Sequence, residues 1–166
     1  MPSSTAKRVV LYRFDRQPLE AVVHPGAYLL PDHIELITVD GKLQTAGYDS
    51  VKALCFASEP GDADLFRESN LFERRPKVPG LWTRFLFRDG DRLDGILSPS
   101  LLEWPKEGYV ITPPKSGASR QRVFIPRAAI IGTELRGVVG SSTPVRAKGR
   151  KEEPAKPQDQ LRMFEQ

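Results

Sequence analysis

The chain states one pattern twice. Near the start it reads Val9-Val10-Leu11-Tyr12-Arg13-Phe14-Asp15-Arg16-Gln17-Pro18-Leu19-Glu20-Ala21-Val22-Val23, and farther on Thr83-Arg84-Phe85-Leu86-Phe87-Arg88-Asp89-Gly90-Asp91-Arg92-Leu93-Asp94-Gly95-Ile96-Leu97. Asp15 aligns with Asp89, Leu19 with Leu93, Glu20 with Asp94, and Ala21 with Gly95. Each copy leads to a second apolar block, Val51 to Phe56 and Val123 to Ile131. A duplication of this size divides 166 residues into two small modules and argues against one large enzyme core.

The pattern within each module is that of short strands. In the first, residues 8–57, strands are expected over Arg8–Phe14, Leu19–His24, Ile34–Val39, Lys42–Tyr48 and Val51–Phe56, with Asp40-Gly41 as a hairpin turn. In the second, residues 81–140, they are expected over Leu81–Arg88, Arg92–Ser98, Tyr109–Thr112, Gln121–Ile125 and Ala129–Leu135, with Asp89-Gly90 as the turn. Gly95 is expected to mark a bend or bulge, and Pro126 a bend or an edge. Residues 58–80 read as a linker with one turn of helix. Its Leu65, Phe66, Leu71 and Phe72 would pack on a barrel end. Residues 141–166 form a tail, basic and disordered by composition, since Ser141 to Gln158 lacks large apolar residues. The expected architecture is all-β: two tandem five-stranded small barrels, Sm-like or SH3-like in rhythm, followed by that tail.

Several chemistries are missing. No run approaches a membrane span, and the polar Met1–Arg8 is no secretory leader, so a cytoplasmic protein is expected. The lone Cys55 excludes an internal disulfide and reads as a buried small hydrophobe. His24 and His33 have no metal-site spacing, and no nucleophile elbow, phosphate loop or dinucleotide fingerprint occurs. Asp15 and Asp89 fall at turns, where Asp serves local hydrogen bonding, while Glu20 and Asp94 are expected on an outer strand face. The reading is non-enzymatic, with no catalytic residue, metal or cofactor.

The second module runs from an apolar strand through Asp-Gly and Leu-x-Gly to Ile125-Pro126-Arg127-Ala128-Ala129-Ile130. It resembles the Sm-like fold, and within it bacterial Hfq. Phe85–Leu97 is similar to the first Sm motif, and Pro126–Ile130 resembles the Tyr-Lys-His-Ala-Ile of the second. The first module matches more loosely. SH3-like and PilZ barrels share the rhythm. The resemblance implies RNA binding. In the family a Lys-His pair helps line a uridine-binding pore; here those places hold Arg127 and Ala128, so a different ligand or partner is implied.

The net charge of +4 permits an acidic partner. The basic residues cluster at Arg120-Gln121-Arg122-Val123-Phe124-Ile125-Pro126-Arg127. In a strand, Arg120, Arg122 and Phe124 share a face, which suits phosphate contact and base stacking, and Lys115 and Arg127 extend the patch. The alternative is that Phe124 faces the core. A nucleic acid, RNA first, is the leading ligand. A second partner is suggested by Gln160-Leu161-Arg162-Met163-Phe164, which resembles the peptide by which bacterial proteins dock on the DNA polymerase sliding clamp. The protein would then be an adaptor, with Gln160, Leu161, Met163 and Phe164 as contacts. Oligomerisation stays open.

Overall fold

A computed structural model describes residues 5–57, 65–66, 70–114 and 120–140, without the side chains of Arg120 and Gln121. Ten strands follow in chain order: β1 (Lys7–Arg13), β2 (Leu19–Val23), β3 (His33–Thr38), β4 (Leu43–Gly47), β5 (Val51–Ala57), β6 (Gly80–Phe87), β7 (Arg92–Leu97), β8 (Gly108–Thr112), β9 (Arg120–Pro126) and β10 (Ile130–Val139). Two short 3-10 turns, Leu101–Glu103 and Arg127–Ala129, flank β8 and β9. The last strand runs four residues beyond its expected end because pairing with β6 continues to Val139. The expected hairpin turns form at Gly41 and Gly90, which adopt φ of 82° and 94°, values open to glycine at no steric cost.

The duplication is a duplication of register. Leu11 faces Leu19 across β1 and β2, and Phe85 faces Leu93 across β6 and β7, seventy-four residues on. Val9 opposite Ala21 repeats as Thr83 opposite Gly95. Ile34 opposite Ala46 repeats as Tyr109 opposite Ile125. Cys55 pairs with Val10 as Glu134 pairs with Arg84. Even the irregularities recur: β5 skips Lys52 in its pairing with β1, and β10 skips Ile131 in its pairing with β6. Gly95 is not a bulge, since β6 and β7 pair without a break around it. A Cβ there would lie 2.3 Å from Ile111 Cδ1, so Gly95 allows two strands to approach closely.

Two separate barrels do not form. All ten strands join one open antiparallel sheet in the order β10-β6-β7-β8-β9-β5-β1-β2-β3-β4. The fourth strand of the second half, β9, pairs with the fifth strand of the first, with Leu54 opposite Phe124 and Cys55 opposite Val123. The reason is visible in β5, where every residue from Val51 to Ala57 is buried. A strand apolar on both faces has to be covered on both. Val51, Leu54 and Phe56 enter one core with Val9, Leu11, Ile34 and Leu36. Ala53 and Cys55 enter the other with Phe85, Phe87, Leu93 and Ile125. Phe124 crosses the boundary: it belongs to the second half but lies in the first core, edge-on to Tyr28.

Polar contacts fasten the same boundary. Lys52, almost fully buried, donates from Nζ to the Asp89 carboxylate at 2.6 Å and to that of Asp91. Its ammonium lies 4.0 Å from the Phe66 ring centroid. Arg88 donates to the Asp49 carbonyl and covers the Phe14 ring. Between the halves Leu65 is buried, Phe66 sits edge-on to Tyr12 and Phe87, and Phe72 edge-on to Trp82, all against the open sheet and not a barrel end. The tail, 141–166, lies outside the described residues.

Candidate nucleic-acid interface

Residues of β7, β8, β9 and the Leu101–Glu103 turn enclose a cavity of about 530 Å³, with Ser98, Glu103, Trp104, Thr112 and Arg122 among its walls. Ser98 shapes it. Its hydroxyl donates to the Glu103 carboxylate at 2.5 Å, and its carbonyl accepts the Trp104 indole N–H at 2.8 Å. The turn is thereby fixed and the half-buried indole is held beside the opening. Arg122 is exposed, with its guanidinium 5.8 Å from the Phe56 ring centroid, and no carboxylate among the described residues forms a salt bridge with it. A cation of this kind on a concave wall is available to an anionic ligand.

A second cation lies near Trp104 on the face of the second core. The Trp104 ring lies 6.1 Å from that of Tyr109, and the Arg127 guanidinium lies 5.1 Å from the Tyr109 ring. Arg127 Nε donates to the Lys106 carbonyl at 3.1 Å, which orients the fork while the residue stays exposed. Trp104 and Tyr109 pack against the second core, whereas Arg122 stands on the Phe124 face of β9; Trp104 and Arg122 meet only as walls of the cavity.

The expected stacking residue is not among them. Phe124 is 0% exposed, so no base can reach its ring. Arg122 and Phe124 share a face as strand alternation requires, but that face turns into the first core at Phe124. Lys115 lies outside the described residues, as does the side chain of Arg120; Gln160, Leu161, Met163 and Phe164 also lie outside them. Trp104 and Tyr109 went unrecognised in the sequence. Trp104 stands in Leu101-Leu102-Glu103-Trp104-Pro105, a polar-flanked stretch between strands where a large aromatic has no alternating pattern to bury it.

Two of the repeated carboxylates, Asp89 and Asp94, have structural work. Asp94 is not on an outer face: it is fully buried. Its carboxylate accepts from Arg84 Nε at 2.7 Å, from the Trp82 indole at 3.2 Å and from the Phe72 amide at 3.0 Å. The bond to Asp94 raises the Arg84 pKa further. Its counterpart Glu20 is exposed and borders a second cavity, of about 670 Å³, with Arg8, His24 and Thr38. Burial alone would raise the Asp89 pKa, but bonds from Lys52 and the Asp91 amide outweigh it and hold the carboxyl below its usual range. Burial pushes the Tyr28 and Tyr48 hydroxyls up to about 12, leaving both neutral. Among the described residues no group of His, Cys, Asp and Glu could hold a metal ion, and no helix is long and apolar enough to cross a membrane.

No curated protein and no solved structure matches the chain. A model described as a family of unknown function (DUF6982) matches residues 5–137. The match takes in both halves of the sheet and stops before the tail. The chain therefore belongs to the family DUF6982.

Proposed function

We propose that the protein is a non-enzymatic, Sm-like nucleic-acid-binding protein that holds single-stranded RNA along β8 and β9. Arg122 and Arg127 contact phosphates, and Trp104 and Tyr109 offer apolar surface to the bases. The observation that carries this reading is the exposed Arg122, which forms no salt bridge among the described residues, on the wall of a cavity lined also by Trp104. Lys115 and Arg120 belong to the same basic stretch of sequence and extend it. The Sm-like assignment is supported by the five-strand unit that recurs in register. A cytoplasmic bacterial setting suits the single, buried Cys55.

The test is fluorescence anisotropy of a labelled single-stranded RNA, and of the matching DNA, with the full chain over a range of salt. Replacing Arg120, Arg122 and Arg127 by Ala should weaken binding and make the salt slope shallower by roughly 2, at about 0.7 per phosphate contact on a single strand. An unchanged slope would remove the site from β9. A second reading rests on Gln160-Leu161-Arg162-Met163-Phe164: an adaptor that docks on the sliding clamp through this peptide.

A further inference from the structure

One face of the sheet is covered in the second half and open in the first. In the second half, Arg84 opposite Asp94 and Trp82 opposite Ile96 share a face of β6 and β7. Residues 70–72 lie over it. The Asp94 amide donates to the Asn70 carbonyl at 2.7 Å, the Phe72 amide donates to the Asp94 carboxylate at 3.0 Å, and the Phe72 ring stands edge-on to Trp82 at 6.1 Å. With this segment in place Asp94 is 0% exposed and Ile96 4%.

The repeat sets Val10 opposite Glu20 and Arg8 opposite Val22 on the matching face of β1 and β2, with Ile37 of β3 beside Val22. Here the face opens as the cavity of about 670 Å³. Val22, the counterpart of Ile96, is only half-buried, as is Ile37, and Val39 on the same wall is 81% exposed. Contiguous apolar surface of this kind is a place for a ligand or a covering segment.

We propose that the chain's own tail docks on this face through residues 161–165, held as residues 70–73 are held on the second half. Two observations name this occupant. The covering segment reads Leu71-Phe72-Glu73 and the tail reads Met163-Phe164-Glu165, a large aliphatic residue followed by Phe and Glu in both. The reach is also sufficient. Twenty-five residues carry the chain from Val139, the end of β10, to Phe164. They span up to about 80 Å when extended, against a radius of gyration of about 14 Å for a domain of this size.

Phe164 takes the place of Phe72. Arg8 stands where Trp82 receives that ring, so the contact becomes one between a cation and an aromatic face. Arg8 is exposed and forms no salt bridge among the described residues, which leaves it open to Glu165 as well. Met163 and Leu161 bury against Val22, Ile37 and Val39. A partner that reads Leu161, Met163 and Phe164 must therefore displace them from the sheet.

Two measurements on the full chain test this. Methyl NMR spectra of wild type and Phe164→Ala should differ by ring-current shifts at Val10, Val22, Ile37 and Val39, and not at Ile131 on the distant β10. The tail substitution leaves every residue of the sheet in place, so unchanged Val22 and Ile37 methyls would overturn the proposal. In a chain carrying Val22→Cys and Phe164→Cys, mild oxidation should close an intramolecular disulfide. It should form about tenfold faster than in a chain carrying Leu102→Cys and Phe164→Cys, where only the tether brings the thiols together. Leu102 is 98% exposed, and the native Cys55 is buried. Equal rates in the two chains would overturn the proposal, as would a disulfide-linked dimer in place of the closed loop, which would put another copy's tail on the face.

Discussion

Lys52 should hold the two halves of the sheet together, and Lys52→Met isolates that role because it keeps the apolar stem and deletes the charge. Three terms set the magnitude. Two ion pairs are lost, but the Asp89 and Asp91 side chains are 36% and 46% exposed and rehydrate, so each pair is nearer the surface value of ~1 kcal/mol than the 3–5 of a fully buried pair. The cation over Phe66 contributes about 1 kcal/mol. A methionine sulfur against the same ring returns about 0.5–1 kcal/mol. The net loss is about 2 kcal/mol, close to thirtyfold in the folding equilibrium. Urea unfolding followed by the fluorescence of Trp82 and Trp104 should show the midpoint falling by about 1 M, for a slope near 2 kcal/mol/M. Asp89→Asn with Asp91→Asn should cost less in the Lys52→Met background than in wild type, since the three groups act together. A Lys52→Met midpoint equal to or above that of wild type would refute the reasoning, and so would simple additivity of the changes.

Other outcomes follow from the same geometry. Phe124→Ala should destabilise the protein by about 3–5 kcal/mol, because it empties the first core of a ring supplied by the second half; a melting curve like that of wild type would contradict the placement. Gly95→Ala should cost about 1–3 kcal/mol through overlap with Ile111, whereas Ala21→Gly at the matching place should cost no more than about 1; thermal melts of the two variants compare them directly. Asp89 has a lowered folded pKa, so its contribution is complete above the unfolded carboxylate range near 4 and is lost as pH falls through the lower folded value. Unfolding midpoints measured downward from pH 5 should therefore fall less steeply in Asp89→Asn. A peptide of residues 156–166 should bind the sliding clamp at about micromolar Kd, and the same peptide with Leu161→Ala and Phe164→Ala should not; calorimetry decides.

Most of the strand order within each half was legible, because local chemistry sets it. Asp40-Gly41 and Asp89-Gly90 impose tight turns, and the apolar residues around them alternate with the pleat. What joins the halves was not legible by the same means. The β5–β9 pairing links residues far apart in the chain, and no turn announces it. One signal was present: Val51-Lys52-Ala53-Leu54-Cys55-Phe56-Ala57 lacks alternation and demands cover on both faces, which a barrel's closing strand does not need. The place of Phe124 depends on the same junction. In Arg122-Val123-Phe124-Ile125 strand alternation puts the ring on the side of the arginines. The sheet, however, had a second core waiting on that side.

The same repeat explains why the two halves need not do the same thing. Arg122 has Leu43 as its counterpart, Arg127 has Tyr48, and Tyr109 has Ile34. The basic and aromatic side chains proposed to meet RNA therefore occur in one copy of the unit only. In the other copy the matching strand, β4, is a short polar edge with one exposed leucine. Duplication supplied two equivalent strands, and burial of β5 committed one of them, β9, to the centre of the molecule. There its arginine borders a cavity built from its own half and stands over Phe56 of the other. A single unit would hold Arg122 without that ring beneath it and would leave Phe124 without the core that buries it. On this argument the binding surface requires both halves, and a fragment of residues 80–140 alone should lose the nucleic-acid affinity of the full chain even though it contains every residue proposed for contact. Retention of full affinity by that fragment would show that the junction is dispensable to the site.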